Sequence, residues 1–255
     1  MTLECIRPRQ PLGGAIQALS TTRQGGVSRA PYAALNLGDH VGDDPLAVAE
    51  NRRRLLAAAP GCTRIQWLRQ VHGRQCVHAS AATAQTVPEA DAAWTDEPGL
   101  GLAVLTADCV PVVVCAPRSG IVGVAHAGWR GLVGGVLEAL LEALPVPATE
   151  LVAWLGPAIG PEDYQVDAPL VAAIGALSDG ERLLRQAVVP DAVPERWRLD
   201  LFALTVALWT RAGVGRVESE RISTFADLRC YSHRRAAAAR TETGRLATLV
   251  WRPAG

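Results

Sequence analysis

Leu102-Ala103-Val104-Leu105, Val110-Pro111-Val112-Val113-Val114-Cys115 and Ile121-Val122-Gly123-Val124-Ala125 follow one another across short gaps, and together they are apolar and rich in β-branched residues. Runs this short are strand-length rather than helix-length, and their lack of polar alternation reads as strands buried on both faces. The core therefore holds a sheet. Pro111 has no N–H to give to a ladder, which predicts an edge or a bulge in the second strand. Downstream, Leu132, Val136, Leu137, Leu140, Leu141 and Leu144 share one face at helical spacing. A helix is thus predicted to begin just after His126-Ala127-Gly128-Trp129-Arg130-Gly131, and strands backed by a helix make the chain α/β.

Working outward, Asp44-Pro45 followed by Leu46 to Ala59 reads as a capped helix with Pro at its first position, closed by Gly61. Ile65 to Leu68 and Gln75 to Ala79 read as strands on either side of His72, and Leu246 to Trp251 as the last strand. Asp200, Leu201, Leu204 and Leu208, with Gly213 beyond them, give a second capped amphipathic helix. With no repeat, low-complexity tract or long linker, residues 1–255 read as a single domain.

Composition excludes whole classes of chemistry. All 25 basic residues are Arg, so there is no Schiff-base lysine, pyridoxal anchor or phosphate-loop lysine, while guanidinium forks remain for phosphate or carboxylate. A formal net charge of zero argues against a nucleic-acid partner, and the expected substrate is small. No apolar stretch reaches the roughly 20 residues that span a bilayer, and no basic-then-apolar leader opens the chain, so a cytoplasmic protein without a membrane partner is expected. The six cysteines, Cys5, Cys62, Cys76, Cys109, Cys115 and Cys230, form no close pairs and read mostly as buried thiols. Oligomeric state leaves no signal in the sequence.

Three residues interrupt apolar runs beside small neighbours: His72 in Gln70-Val71-His72-Gly73, Cys109 in Thr106-Ala107-Asp108-Cys109, and His126 in the segment before the helix. Two imidazoles and a thiolate at long spacings suit a catalytic zinc site with an open fourth position, whereas structural sites are closed by four ligands, commonly in close pairs. The plainer reading is that each is a packed or hydrogen-bonded residue, which is the expectation for His40, His78 and His233 and for Cys5, Cys62, Cys76 and Cys115. The predicted helix would point its N-terminus, with Arg130, at the triad and favour an anion there.

Taken in order, Ser20-Thr-Thr-Arg23-Gln-Gly-Gly-Val-Ser, Ala34-Leu-Asn36-Leu-Gly-Asp-His40-Val-Gly-Asp-Asp44, Gln70-Val-His72-Gly, Thr106-Ala-Asp-Cys109, His126-Ala-Gly-Trp-Arg-Gly, Gly156-Pro-Ala-Ile-Gly-Pro161 and Thr243-Gly-Arg245 resemble the motif series of the laccase-domain, or polyphenol oxidase YfiH-like, family of purine nucleoside phosphorylases. The resemblance runs from about Ser20 to Trp251. It implies a four-layer α/β/β/α sandwich and one zinc per chain on His72, Cys109 and His126. It also implies phosphorolysis of adenosine, inosine, guanosine and S-methyl-5′-thioadenosine, with deamination of adenosine. Ser223-Thr224 and the segment Cys230-Tyr231-Ser232-His233-Arg234-Arg235 depart from the family pattern, which bears on substrate preference more than on chemistry.

Zinc lowers the pKa of a bound water from about 16 toward ~7, which suits attack at C6 of adenosine with Asp108 as a proton carrier. Phosphorolysis needs phosphate held against C1′ of the ribose, for which Arg23, Arg130 and Arg245 are the candidates, with Asn36 for the ribose hydroxyls or base edge. The same triad permits a metal-free thiol hydrolase, Cys109 as nucleophile and a histidine as base, acting on an amide such as a misassembled cell-wall precursor. A copper-dependent phenol oxidase is disfavoured: a multicopper cluster calls for about eight more histidines, the chain has five in all, and its one methionine is Met1. Copper would bind opportunistically without function.

Overall fold

The apolar runs pair as strands in the computed structural model, which describes residues 3–255. Val110–Ala116 and Ile121–Ala127 form the centre of a six-stranded sheet. Its order is Arg216–Ser219, Val152–Leu155, Val110–Ala116, Ile121–Ala127, Ala92–Thr95, Cys76–His78. A five-stranded sheet runs Cys5–Ile6, Gln17–Thr21, Leu246–Trp251, Leu100–Thr106, Arg64–Gln66. A third, three-stranded sheet joins Gln165–Val166, Trp197–Leu199 and Val188–Pro190.

Because strand side chains alternate faces, strands buried on both faces serve two cores. From Val110–Ala116, Val113 and Cys115 join Leu102, Val104, Leu246 and Val250 between the two large sheets. Val112 and Val114 face the other way, onto Leu137, Leu140, Phe202 and Trp209 of the helices Val136–Ala143 and Leu201–Arg211. On the outer face of the five-stranded sheet, Ala103, Leu105, Ala247, Leu249 and Trp251 pack with Leu55 of the helix Pro45–Ala57. Helix, sheet, sheet, helices is the α/β/β/α order.

Pro111 lies in a central strand, not at an edge. Its cross-strand partner His126 gives its backbone N–H to Asp91 on the far side, so the Pro111–His126 pair exchanges no bond, and pairing with Val152–Leu155 starts only at Val112. Pro111 thus sits at a non-hydrogen-bonded position of the first ladder and one residue before the second, where its carbonyl accepts the Gly156 N–H at 3.0 Å. The helix after His126 also differs from expectation. It starts inside the motif, at Trp129, and breaks at Gly135 (φ 86°) into Trp129–Gly134 and Val136–Ala143, because a left-handed residue cannot continue an α-helix. Asp44 and Asp200 cap their helices as read, accepting from Leu46 N–H at 2.9 Å and Ala203 N–H at 2.9 Å. The first of these ends at Ala57, two residues early; of the strands around His72, the first runs Arg64–Gln66, starting one residue earlier and ending two residues earlier than read, and the second is trimmed to Cys76–His78. All six cysteines are free thiols. No helix among the described residues is long and apolar enough to cross a membrane.

Candidate metal centre

Cys109 immediately precedes one central strand, and His126 is the penultimate residue of its neighbour, so antiparallel pairing of Val110 with Ala127 brings thiol and imidazole to the same end of the sheet. His72 arrives from the segment that crosses from Arg64–Gln66 in the five-stranded sheet to Cys76–His78 in the six-stranded one. The three ligand atoms lie within 4.8 Å of one another, and the two imidazole centroids are 4.7 Å apart at 75°. His126 is buried, Cys109 half-buried and His72 exposed. His72 (φ 59°) and Asp108 (φ 95°) both take left-handed conformations, strain that a side-chain-bearing residue keeps only where its surroundings hold it.

Asp91, wholly buried, does much of that holding. Its carboxylate accepts the backbone N–H groups of Val71 (3.0 Å), His72 (3.0 Å) and Gly73 (2.8 Å) and faces Nδ1 of His126 at 2.8 Å. One side chain thus fixes the His72 loop and directs Nε2 of His126 to the open side. Gln70 adds a second tie, donating to the Leu105 carbonyl (2.8 Å) and accepting the Leu105 N–H (2.7 Å), so the His72 loop is docked on the strand that leads to Cys109. Sequence reading assigned no role to either residue. For Asp91 the available signal was a carboxylate embedded in Ala90-Asp91-Ala92-Ala93.

Burial would raise the Cys109 thiol, but His126 and His72 outweigh it and hold the thiol at about 6. His126 goes the other way: burial would lower it, yet Cys109 and Asp91 hold it up at about 9. Elsewhere burial pushes thiols up, Cys62 to about 11 and Cys76, Cys115 and Cys230 to about 12. A soft thiolate with two imidazoles is a donor set that suits zinc. Gly128 confirms that the space is kept clear, since a Cβ there would stand 2.9 Å from Cys109 Sγ and 3.1 Å from His72 Cδ2. No fourth histidine, cysteine or carboxylate joins the group among the described residues, so the fourth position is open.

The other sequence-predicted residues are placed unevenly. Asp108 accepts the Thr224 hydroxyl at 2.7 Å and the Arg234 N–H at 2.6 Å, so both of its oxygens are engaged. Asn36 is buried with its amide saturated: it donates to Gly38 O and Asp43 and accepts from Gly38 N–H and Arg245 N–H. It stands behind the site, holding Arg245. The Arg245 stem lies on Gly38, and burial lowers its guanidinium against the opposing charges of Cys109 and Asp108. Arg130 is exposed over Trp129. Arg23 donates to Ala33 O at 2.8 Å and lines a different cleft with Ser232, Arg235 and Glu242. Of the residues that depart from the family pattern, Ser223 accepts the Gly160 and Ala226 N–H groups, Cys230 is buried between the sheets, and His233 is exposed. His40 lies by Asp39, and His78 stacks on Trp94 at 4.0 Å.

Two packed sheets that bring an open His–Cys–His group to one strand end define an α/β sandwich of the laccase-domain class. The chain belongs to the family described as multi-copper polyphenol oxidoreductase laccase, which matches residues 17–253. It is 44% identical over 247 residues to a purine nucleoside phosphorylase of Pseudomonas aeruginosa, covering 96% of this chain and 97% of that one. It is 36% identical to the purine nucleoside phosphorylase YfiH of Escherichia coli, covering 96% and 98%. Among solved structures, a Neisseria meningitidis protein superposes with a TM-score of 0.88 at 35% identity, covering 98% of this chain and 99% of that one. YlmD of Geobacillus stearothermophilus gives 0.86 at 33%, covering 98% and 96%.

Proposed function

We propose that the chain is a zinc-dependent purine nucleoside phosphorylase acting on adenosine, inosine, guanosine and S-methyl-5′-thioadenosine, and that the same site deaminates adenosine. The observation that carries this reading is the open His72–Cys109–His126 group, on a chain whose relatives bear the name purine nucleoside phosphorylase. Bound there, zinc would supply a Lewis acid facing the substrate. Asp91 keeps His126 oriented, and Arg245 contributes a positive charge that acts on Cys109 and Asp108. Asp108 fixes the main chain ahead of Cys109, and each of its oxygens, accepting one hydrogen bond, keeps a lone pair that could take a proton. Arg23 and Arg130 are the further candidates for oxyanion contacts.

Adenosine is expected to yield inosine without phosphate, and free base plus ribose 1-phosphate with it. His72→Ala, Cys109→Ala and His126→Ala should each abolish both reactions together, because each removes a ligand of one shared ion. Failure of the folded wild-type chain to turn over any of the four nucleosides would overturn the reading. One observation favours a second reading: the thiol held at about 6 beside a raised imidazole is the pair that a thiol hydrolase uses. Elemental analysis separates the two. About one zinc per chain, with Cys109 shielded from iodoacetamide, supports the phosphorylase; no metal, with Cys109 alone labelled near neutral pH, supports the hydrolase. Copper-based oxidation has no support in a second metal group, since the described residues hold none.

A further inference from the structure

Arginines in this chain commonly meet carboxylates, as Arg198 meets Asp191, Arg211 meets Glu138 and Arg221 meets Asp200. Arg130, Arg196 and Arg234 form no ion pair among the described residues, and all three line one cleft of about 290 Å³ with Trp129, Tyr164 and Asp167. Asp167 is its single carboxylate and serves as the N-cap of the helix Ala168–Gly175, accepting the Leu170 N–H. The cleft is therefore cationic inside a neutral protein.

Both walls are tied to the metal ligands. Trp129 and Arg130 open the helix three residues after His126. The Arg234 amide donates to Asp108, the residue before Cys109. The Arg234 fork is set in place: its two terminal nitrogens each donate to the Gln165 carbonyl at 3.2 Å, and its guanidinium carbon lies 5.1 Å from the Tyr164 ring centroid. Its Nη1 also donates to the Asp163 carbonyl at 3.5 Å, which leaves two of its five N–H groups. The Arg130 guanidinium is propped on Trp129 at 4.5 Å. Burial and the Cys109 charge together raise the Tyr164 phenol, which puts this wall within electrostatic reach of the triad.

We propose that this cleft is the subsite for inorganic phosphate, with Arg234 and Arg130 contacting the oxyanion and Arg196 adding long-range charge; the inference rests on the phosphorylase reading. In the step it serves, an oxygen of hydrogen phosphate forms a bond to C1′ as the C1′–N9 bond breaks. The bonding pair leaves with the purine, and the proton of hydrogen phosphate ends on the purine. Of the three arginines singled out in the sequence, this assigns Arg130 to the phosphate and adds Arg234, from one of the segments that depart from the family pattern.

Calorimetric titration of the zinc-loaded full chain with inorganic phosphate tests it. Arg234→Gln and Arg130→Gln should each weaken the phosphate Kd by about tenfold or more, the loss of one charge-assisted hydrogen bond. They should raise the KM for phosphate and leave the KM for nucleoside unchanged. Arg118→Gln, in the turn at the opposite end of the central hairpin, should change neither. The Arg130 guanidinium makes no hydrogen bond among the described residues, so its variant decides the matter if Arg234→Gln does not fold. A phosphate Kd indifferent to both variants overturns the subsite, as does binding of adenosine 5′-monophosphate in this cleft without binding of inorganic phosphate. Arginine-dependent phosphate binding by a protein that turns over no nucleoside upholds the subsite and sinks the phosphorylase reading.

Discussion

Asp91 shows how much of the centre rests on a wholly buried residue outside the candidate ligand set. It joins two ligand-bearing segments through three backbone N–H bonds and one imidazole. An amide in its place would turn one acceptor into a donor facing donors. Asp91→Asn is therefore expected to lower zinc affinity by about 10- to 100-fold with the far-UV spectrum unchanged, as read by competition with a chromophoric chelator; an affinity within about twofold of wild type would sink the idea. The three candidate ligands were legible in the sequence because His72, Cys109 and His126 each sit where an apolar run breaks; of the three only His126 is buried. Asp91 was not legible, because its partners are main-chain amides about 20 residues away. Asn36 looked like a substrate contact for the same reason: in sequence, an amide engaged internally and one offered to a ligand are identical.

At the scale of elements, capping was readable because it is local. Asp44 satisfies a free N–H one turn into its own helix, and Asp44→Ala should cost about 1 kcal/mol, measured as a shift in the urea midpoint; no shift would mean that water replaces the cap without penalty. Helix termination at Gly135 was missed because the leucine stripe runs through it in phase and outweighed the local breaker signal of the Gly134-Gly135 pair. Pro111 was read as marking an edge or a bulge because proline reports a missing donor without saying which way that donor would have pointed. In the structure it points past the end of the neighbouring strand's pairing, where a ladder bond is not required.

The whole molecule is held by the layer between its two large sheets. Leu102 is fully buried there. Leu102→Ala should cost about 2–5 kcal/mol through lost transfer energy and the cavity left behind, a large part of the stability of a typical domain. Leu228→Ala, at a side chain 73% exposed, should stay within about 0.5 kcal/mol. Chemical denaturation of both variants checks the contrast, and equal losses would mean that the inter-sheet layer is not the principal core.

Periodicity and its interruptions are properties of neighbouring residues, so the central strands, the helices that Asp44 and Asp200 cap, and the three candidate ligands were readable along the chain, whereas strands such as Gln17–Thr21, Ala92–Thr95 and Val152–Leu155 carry no such local signal. Which strands pair was beyond that reading, because pairing depends on contacts between residues far apart in sequence. Leu246–Trp251 lies between Gln17–Thr21 and Leu100–Thr106, and nothing local to any of the three says so. The arginines followed the same rule. Arg23, Arg130 and Arg245 look equivalent as motif residues, yet folding sends them to different surroundings and brings Arg234 and Arg196 to Arg130. A guanidinium's chemistry is written in its residue type, but the charge it meets is set by whichever distant segments the sheets carry to its side.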